Sequence, residues 1–193
     1  MSAEFDEARL VRRLRRRDEH AFTWLVRTYQ DRVFALVFRM LGDRAEAEDV
    51  AQEVFVTVFK RIDQFRGDSQ LSTWIYRIAT NHTRNRIKYL GRRHHKRKQD
   101  IQDTRESDIQ RPMTDPHPRP DRAAEGRQFE RILQRALAEL DDTWREVIVL
   151  RDVELLSYAE IAEILGVAEG TVKSRLFRAR TALQQRIEAL TDG

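Results

Sequence analysis

The residues best suited to chemistry lie in a cationic segment near the C-terminus. Between Gly170 and Arg180 the sequence carries four cations and no acid. Such a segment can bind a polyanion, because cations that neutralise phosphates release condensed counterions. The segment follows a short apolar stretch and a glycine, which indicate how its side chains are presented.

Two helices joined by a tight turn are predicted at this position. Ser157 and Glu160 match a capping box, in which each side chain accepts the other residue's free backbone N–H. Gly166 then supplies the left-handed residue that ends a helix. Apolar residues recur on one face of the second helix, at Val172, Leu176 and Ala179. This pattern is typical of a helix-turn-helix that fits the DNA major groove, although an ordinary helical hairpin with a solvated basic face shows it too.

A second candidate surface is acidic and lies in the N-terminal half. Asp49, Gln52 and Glu53 are spaced i, i+3 and i+4, so a helix places them on one face, opposite a stripe of valines. Such a compact acid and amide patch suits docking to a basic partner. A solvated polar face is the alternative of equal weight.

A third candidate surface combines aromatic and cationic side chains after Leu71. Trp74 and Tyr76 are two residues apart, so we expect only one of them, Trp74, to face the core and the other to be exposed. An exposed aromatic ring beside cations can stack on an unpaired base, which contributes about 1–3 kcal/mol per base. The cations follow at Arg77, Arg84, Arg86 and Lys88 and in the run 92–98. Core packing for the aromatics and a solvated tail for the run are the alternatives.

Catalytic and metal-binding patterns find little support. The chain has no cysteine, which excludes disulfides, thiol catalysis and cysteine-ligated zinc. His94 and His95 are adjacent and the other histidines lie in unrelated segments, so no pair sits at i, i+4 beside an acid. No Ser-His-Asp or paired-carboxylate constellation stands out. We therefore expect a protein that is not an enzyme and holds no metal or cofactor.

The composition predicts an all-α protein. Of the 193 residues, 35% are charged and 40% hydrophobic, but only 8% are aromatic and Gly and Pro are few. This balance favours small helical cores with charge-rich surfaces over a β architecture. The sequence shows no signal peptide and no apolar stretch long enough to span a bilayer. We expect a cytoplasmic protein without membrane insertion.

Apolar periodicity predicts four helices in the N-terminal block, enough for a small bundle. Their apolar stripes begin at Leu10, Phe22, Val50 and Leu71. Gly42 ends the second helix, and Asp43 with Glu46 forms a capping-box start for the third. We expect the fourth helix to be interrupted near Asn81.

A proline-containing segment divides the chain. All four prolines lie between Pro112 and Pro120, in a stretch with few large aliphatic side chains. Such a segment buries too little apolar surface to offset its ordering entropy. We therefore predict two small helical domains, at residues 1–98 and 129–193, joined by a flexible linker at residues 99–128.

Three stretches taken together resemble the extracytoplasmic-function (ECF) sigma factors of the RNA polymerase sigma-70 family. They are DVAQEVF at 49–55, FRGDSQLSTWIYRIATN at 65–81 and SYAEIAEILGVAEGTVKSRL at 157–176. A helix-turn-helix alone is a weak indication, whereas three motifs in the family's order, across both helical blocks, are a strong one.

The resemblance implies a role for each surface. The acidic residues that would bind the clamp helices of core RNA polymerase are Asp49, Gln52 and Glu53. The residues that would read and help to melt the −10 promoter element, with a short loop around Asn81 capturing a flipped base, are Trp74, Tyr76, Arg77, Asn81, Arg84, Asn85 and Lys88. The residues that would contact the −35 element in the major groove are Thr171, Lys173, Ser174, Arg175, Phe177 and Arg178.

The resemblance also implies partners, namely core RNA polymerase, double- and single-stranded promoter DNA, and an anti-sigma factor that clamps both blocks.

The residues alone leave two other functions open. A stand-alone helix-turn-helix regulator would use its first block for dimerisation or effector binding, and the dimer would bind palindromic duplex DNA. An enzyme acting on nucleic acid would need a metal site or an acid–base pair.

Overall fold

The computed structural model describes residues 3–100 and 122–191, and within these ranges it contains α-helices and no strand. The N-terminal block consists of α1 (Ala3–Arg15), α2 (Glu19–Leu41), α3 (Arg44–Arg61), a 3-10 turn (Ile62–Gln64) and α4 (Leu71–Asp100). The C-terminal block consists of α5 (Arg122–Ala138), α6 (Asp142–Ile148), a π-helical turn (Val149–Val153), α7 (Tyr158–Leu165) and α8 (Glu169–Thr191). The all-α prediction is confirmed. No described helix is both long and apolar enough to cross a membrane.

The helix-turn-helix begins and turns as its residues predict. The Ser157 hydroxyl accepts from the Glu160 backbone N–H, and the Glu160 carboxylate accepts from the Ser157 N–H at 2.8 Å, so the capping box is complete. Gly166 ends α7 with φ at 67°, a left-handed conformation that a β-carbon would penalise. Together these residues fix the angle at which α8 leaves the turn.

At the start of α3, only one of the two hydrogen bonds of the predicted capping box forms. The Asp43 carboxylate accepts from the Glu46 backbone N–H at 3.0 Å. The Glu46 carboxylate instead binds the guanidinium of Arg86 on α4. A tertiary ion pair therefore replaces the second local hydrogen bond of the box.

The fourth helix is continuous, so the interruption expected near Asn81 is wrong. The loop that the resemblance implied around Asn81 is likewise a helical segment within α4. The Thr83 hydroxyl donates to the Ala79 carbonyl at 2.8 Å without breaking the helix. Apolar contacts on successive turns, including those of Leu71, Ile75 and Ala79, hold this part of α4 in place.

The two blocks share one continuous hydrophobic cluster. Its fully buried side chains include Leu25, Leu36 and Ile75 from the N-terminal block and Leu137, Leu150 and Ile161 from the C-terminal block. Within this cluster α7 lies against α4, and α5 lies against α2. The blocks therefore pack directly on each other.

The predicted linker at 99–128 lies mostly outside the described residues. The helix α4 continues to Asp100, and α5 begins at Arg122, so helices enter both ends of that range. The domain boundaries at 98 and 129 stay predictions.

Candidate functional site

The acidic surface on α3 is exposed. Asp49, Gln52 and Glu53 all face solvent and line a shallow depression of ≈400 Å³ together with Val56, Thr57 and His82. The opposite side of α3 is buried through Val50, Val54 and Val58. The helical spacing read from the sequence is therefore confirmed as a shared face.

Two side chains of α4 hold the carboxylate of Glu53, and sequence reasoning missed their part in this surface. Arg86 donates to Glu53 at 2.7 Å, and the Nδ1 of His82 lies 3.3 Å from the same carboxylate. The Nε2 of His82 also lies 2.9 Å from the Thr57 hydroxyl, and Arg86 also binds Glu46. The i, i+4 spacing of His82 and Arg86 was the available signal, because it places both on one face of α4.

Part of the −10 set forms one exposed stripe along α4. Arg77, Asn81, Asn85 and Lys88 are exposed, and their spacing of four, four and three residues keeps them on one side of the helix. This stripe presents two cations and two amides. Amides can hydrogen-bond to base edges, and cations can bind phosphates.

Two members of the −10 set, Tyr76 and Arg84, are not on this stripe, whereas Trp74 lies at its N-terminal end but is only partly exposed. The Arg84 guanidinium binds the buried carboxylate of Glu146 on α6 through two hydrogen bonds, at 2.5 and 2.7 Å. The Tyr76 hydroxyl donates to Glu154 at 2.8 Å. Both residues therefore point into the contact between the blocks.

The expectation that one of the two aromatics is exposed is wrong. Tyr76 is only 2% exposed, and Trp74 is partly buried, with its ring centroid 5.4 Å from that of Phe65. The first block covers one side of α4 and the second block covers another. Tyr76 can therefore be buried and Trp74 partly buried, although the two point to different sides of the helix.

Tyr89 is the aromatic residue of α4 that meets the criterion of exposure beside cations. Its side chain is 54% exposed and it directly follows Lys88. Its spacing from Asn85 is i, i+4, so the two lie on one side of the helix. Sequence reasoning missed Tyr89 because it weighed only the aromatics at the start of α4.

The −35 set lies on the solvent side of α8. Lys173, Ser174, Phe177 and Arg178 are exposed, with Phe177 at 75%, while Thr171 and Arg175 are partly buried at the edges. The opposite face is buried through Val172, Leu176 and Ala179. The structure therefore brings the predicted contact residues together on one convex surface.

Neighbouring side chains restrain the cations of α8. The Lys173 ammonium lies over the Tyr158 ring, 5.5 Å from its centroid. Arg180 binds the Asp152 carboxylate at 2.5 and 3.1 Å, and this hydrogen bonding raises the pKa of Arg180 above its usual value. An ion pair within the chain therefore holds the guanidinium of Arg180, two residues after the exposed Arg178.

Models of two protein families match the chain in sequence order. The model described as sigma-70 region 2 matches residues 25–93, and the model described as sigma-70 region 4 matches residues 130–183. The first match contains the acidic face of α3 and the stripe of α4. The second contains the whole helix-turn-helix.

Two characterised relatives are similar over almost their whole length. The RNA polymerase sigma-H factor of Pseudomonas aeruginosa is 35% identical, over 98% of both chains. The ECF RNA polymerase sigma factor SigW of Bacillus subtilis is also 35% identical, over 93% of this chain and 96% of its own. Similarity across both blocks does not favour a stand-alone helix-turn-helix regulator.

Solved structures share the fold of both blocks. CnrH, solved in complex with the cytosolic domain of CnrY, is 26% identical with a TM-score of 0.66, over 95% of this chain and 97% of its own. The sigma factor RpoE, solved in complex with the anti-sigma factor NepR from Bartonella quintana, is 24% identical with a TM-score of 0.64, over 86% of this chain and 96% of its own.

Proposed function

The chain belongs to the extracytoplasmic-function sigma factors of the sigma-70 family. We propose that each of its three exposed surfaces binds a different partner, namely core polymerase, the −10 element or the −35 element. As a sigma factor it directs core RNA polymerase to specific promoters and acts in the initiation of transcription. The roles of the individual residues follow from the chemistry of each surface.

The acidic face of α3 is the proposed docking site for core polymerase. Asp49, Gln52 and Glu53 offer acceptors on an ordered helix whose other side is buried. Arg86 and His82 hold the carboxylate of Glu53, which reduces the side-chain entropy that docking has to restrict. This arrangement suits a basic helical partner.

The exposed stripe of α4 is the proposed −10 surface. Arg77 and Lys88 would bind backbone phosphates, while the amides of Asn81 and Asn85 would hydrogen-bond to the edges of unpaired bases. Extruding a base costs a few kcal/mol of stacking. An aromatic ring such as that of Tyr89 can return part of that free energy by stacking on a base.

The solvent face of α8 is the proposed −35 surface. A recognition helix enters the major groove with side chains near its N-terminus reaching the base edges. Lys173 and Arg178 can bind phosphates or guanine, and the Phe177 ring can contact a thymine methyl group. Thr171, Ser174 and Arg175 would complete the contacts at the edges of this face.

The proposal also includes an inhibitory protein partner, a location in the cell and the lack of enzymatic activity. An anti-sigma factor is a proposed partner, because the sigma factor RpoE was solved in complex with the anti-sigma factor NepR, and CnrH was solved in complex with a domain of CnrY. The proposed location is the cytoplasm, where core polymerase and promoter DNA meet. The chain is proposed to have no enzymatic activity of its own, because its surfaces bind and position rather than react.

The observation that carries this proposal is one exposed acidic face and two exposed faces bearing cations, on separate helices of one chain.

Runoff transcription with core polymerase and a promoter library tests the proposed function. We expect specific initiation with the wild-type chain and a large loss with Glu53→Arg. The matched control is Glu163→Arg, the same charge reversal at an exposed position of α7. Initiation no more specific than that of core polymerase alone would contradict the proposal.

A further inference from the structure

His82 lies on α4 at the edge of the acidic face of α3, and both nitrogens of its ring have a polar partner. The Nδ1 atom lies 3.3 Å from the carboxylate of Glu53, and the Nε2 atom lies 2.9 Å from the hydroxyl of Thr57. The side chain of His82 is 28% exposed. It lines the same depression as Asp49 and Gln52. The imidazole therefore forms part of the surface that core polymerase would contact.

The two partners of His82 accommodate both the neutral and the charged ring. An ionised carboxylate can only accept hydrogen bonds, so Nδ1 carries a proton in both states. In the neutral ring Nε2 accepts a hydrogen bond from the Thr57 hydroxyl. In the charged ring Nε2 donates to the same hydroxyl, which can take either role. The ring can therefore gain or lose a charge without leaving its place.

The charged groups around His82 belong to α3 and α4. On α3 these are the carboxylates of Asp49 and Glu53, and on α4 it is the guanidinium of Arg86, which binds Glu53 at 2.7 Å and also binds Glu46. Three carboxylates and one guanidinium leave two negative charges when His82 is neutral. A charged His82 leaves one. Protonation of this single ring therefore halves the net negative charge of the cluster.

We infer that His82 is a positioning residue that acts through Glu53, and that core polymerase binds the chain more tightly when His82 is neutral than when it is charged. This inference rests on the proposed docking role of the acidic face of α3. A cation within that face repels a basic partner and competes with it for the Glu53 carboxylate. Histidine in ordinary surroundings changes its charge between pH 5 and 8. Docking should therefore weaken as the pH falls through this range.

Binding of the labelled full-length chain to core polymerase, measured between about pH 8 and pH 6, tests this inference. We expect the dissociation constant of the wild type to rise about three- to tenfold more than that of His82→Gln as the pH falls. One unit charge about 6 Å from a cation of the partner has this effect at a dielectric constant of about 40–80. The glutamine amide keeps a donor and an acceptor but does not titrate. Comparing the two chains at each pH cancels the titration of groups on the polymerase.

Two further variants bracket the effect of the charge. The matched control, His20→Gln, makes the same change at an exposed histidine of α2 and should keep the pH dependence of the wild type. His82→Lys carries a fixed positive charge, so it should bind more weakly than the wild type at pH 8 and about as tightly at pH 6. Circular dichroism checks that each variant is folded. Parallel pH profiles for the wild type and His82→Gln would overturn the inference.

Proton release provides a readout that a purely structural role of His82 would not change. If core polymerase prefers the neutral ring, docking must displace protons from His82, because the coupling between two binding events is reciprocal. Calorimetric titrations in two buffers of different ionisation enthalpy count these protons. Near pH 6.5 the wild type should release more protons than His82→Gln. Equal release by the two chains would also overturn the inference.

The variant Glu53→Arg separates a failure of this inference from a failure of the proposed function. If Glu53→Arg weakens docking while the wild type and His82→Gln show parallel pH profiles, the docking face stands and the role of His82 is wrong. If Glu53→Arg docks as tightly as the wild type at every pH, the docking face is wrong, and the inference falls with it.

Discussion

Glu154 is a carboxyl group whose surroundings oppose its ionisation. Burial raises its pKa, and this effect exceeds the opposing effects of the hydrogen bond from Tyr76 and of the charges of Arg32 and Arg39. Burial also raises the pKa of the Tyr76 hydroxyl, which therefore stays a donor to Glu154 at neutral pH. An acid with a raised pKa holds its proton more readily in the folded state than in the unfolded chain. Its contribution to the free energy of unfolding is thus fully present at low pH and falls as the pH rises through the raised pKa.

Replacing Glu154 by glutamine removes this dependence. We expect the free energy of unfolding of Glu154→Gln, relative to that of the wild type, to increase between about pH 4 and pH 7, because the amide cannot ionise. Urea denaturation at several pH values measures the difference. The exposed Glu163→Gln serves as the control and should show no such trend. A difference that stays constant with pH would contradict the role of Glu154.

Arg178 and Arg180 form a natural comparison within one helix. Arg178 is exposed on the face of the −35 set, whereas Arg180 is held by Asp152. We expect Arg178→Ala to weaken duplex binding by the polymerase complex and to reduce its salt slope by about 1. Arg180→Ala should leave the slope nearly unchanged. Binding titrations over a range of salt concentrations measure both slopes, and equal slopes for Arg178→Ala and the wild type would place Arg178 away from the DNA.

Among the elements, α4 shows what sequence periodicity can and cannot predict. The helices α2 and α3 each pack mainly on the first block, so their apolar stripes indicated the buried faces. The helix α4 also packs on the second block, and its buried residues include Tyr76 and three threonines, Thr73, Thr80 and Thr83. Buried polar residues obscured the pattern, because the partners of Thr73 and Tyr76, which are Glu160 and Glu154, lie far away in the sequence. The resemblance put the residues of the exposed stripe in the −10 set together with Tyr76 and Arg84, and nothing in the sequence indicated that Arg84 pairs with Glu146.

The connection between α6 and α7 contains a strained residue. Leu155 has φ at 57° and is 78% exposed, so its side chain gains little from burial while its backbone is left-handed. For a residue with a β-carbon this conformation costs about 1–2 kcal/mol. We expect Leu155→Gly to raise the free energy of unfolding by about 0.5–1 kcal/mol, whereas Leu155→Ala keeps the β-carbon and should give no gain. Chemical denaturation of both variants measures the effect, and a destabilising glycine would show that the Leu155 side chain itself supports the turn.

At the scale of the whole molecule, the direct packing of the two blocks on each other does not allow both proposed promoter surfaces to be occupied together. The −10 and −35 elements are separated by about 25 base pairs, or about 85 Å along the duplex. Two small domains with radii of gyration of about 10–13 Å each leave roughly 60 Å for the chain between them to cover. The 21 residues of 101–121 reach at most about 70 Å when fully extended. The proposed binding of both elements therefore requires the two blocks to separate, and the intervening chain is long enough to permit this separation.

The length of this segment gives a prediction for the complex. Deleting ten residues, 106–115, leaves a chain that reaches at most about 40 Å, so the two blocks could not occupy both elements together. We expect runoff transcription from promoters that need both elements to fall at least tenfold, while the thermal stability of the free chain changes little. A matched variant replaces the same ten residues with a Gly/Ser sequence of equal length and should retain activity, because reach rather than sequence is what the segment supplies. Equal losses of activity in the two variants would show that specific side chains of the segment contact the polymerase. Full activity in both variants would show that the blocks lie closer together on the promoter than the spacing of its elements indicates.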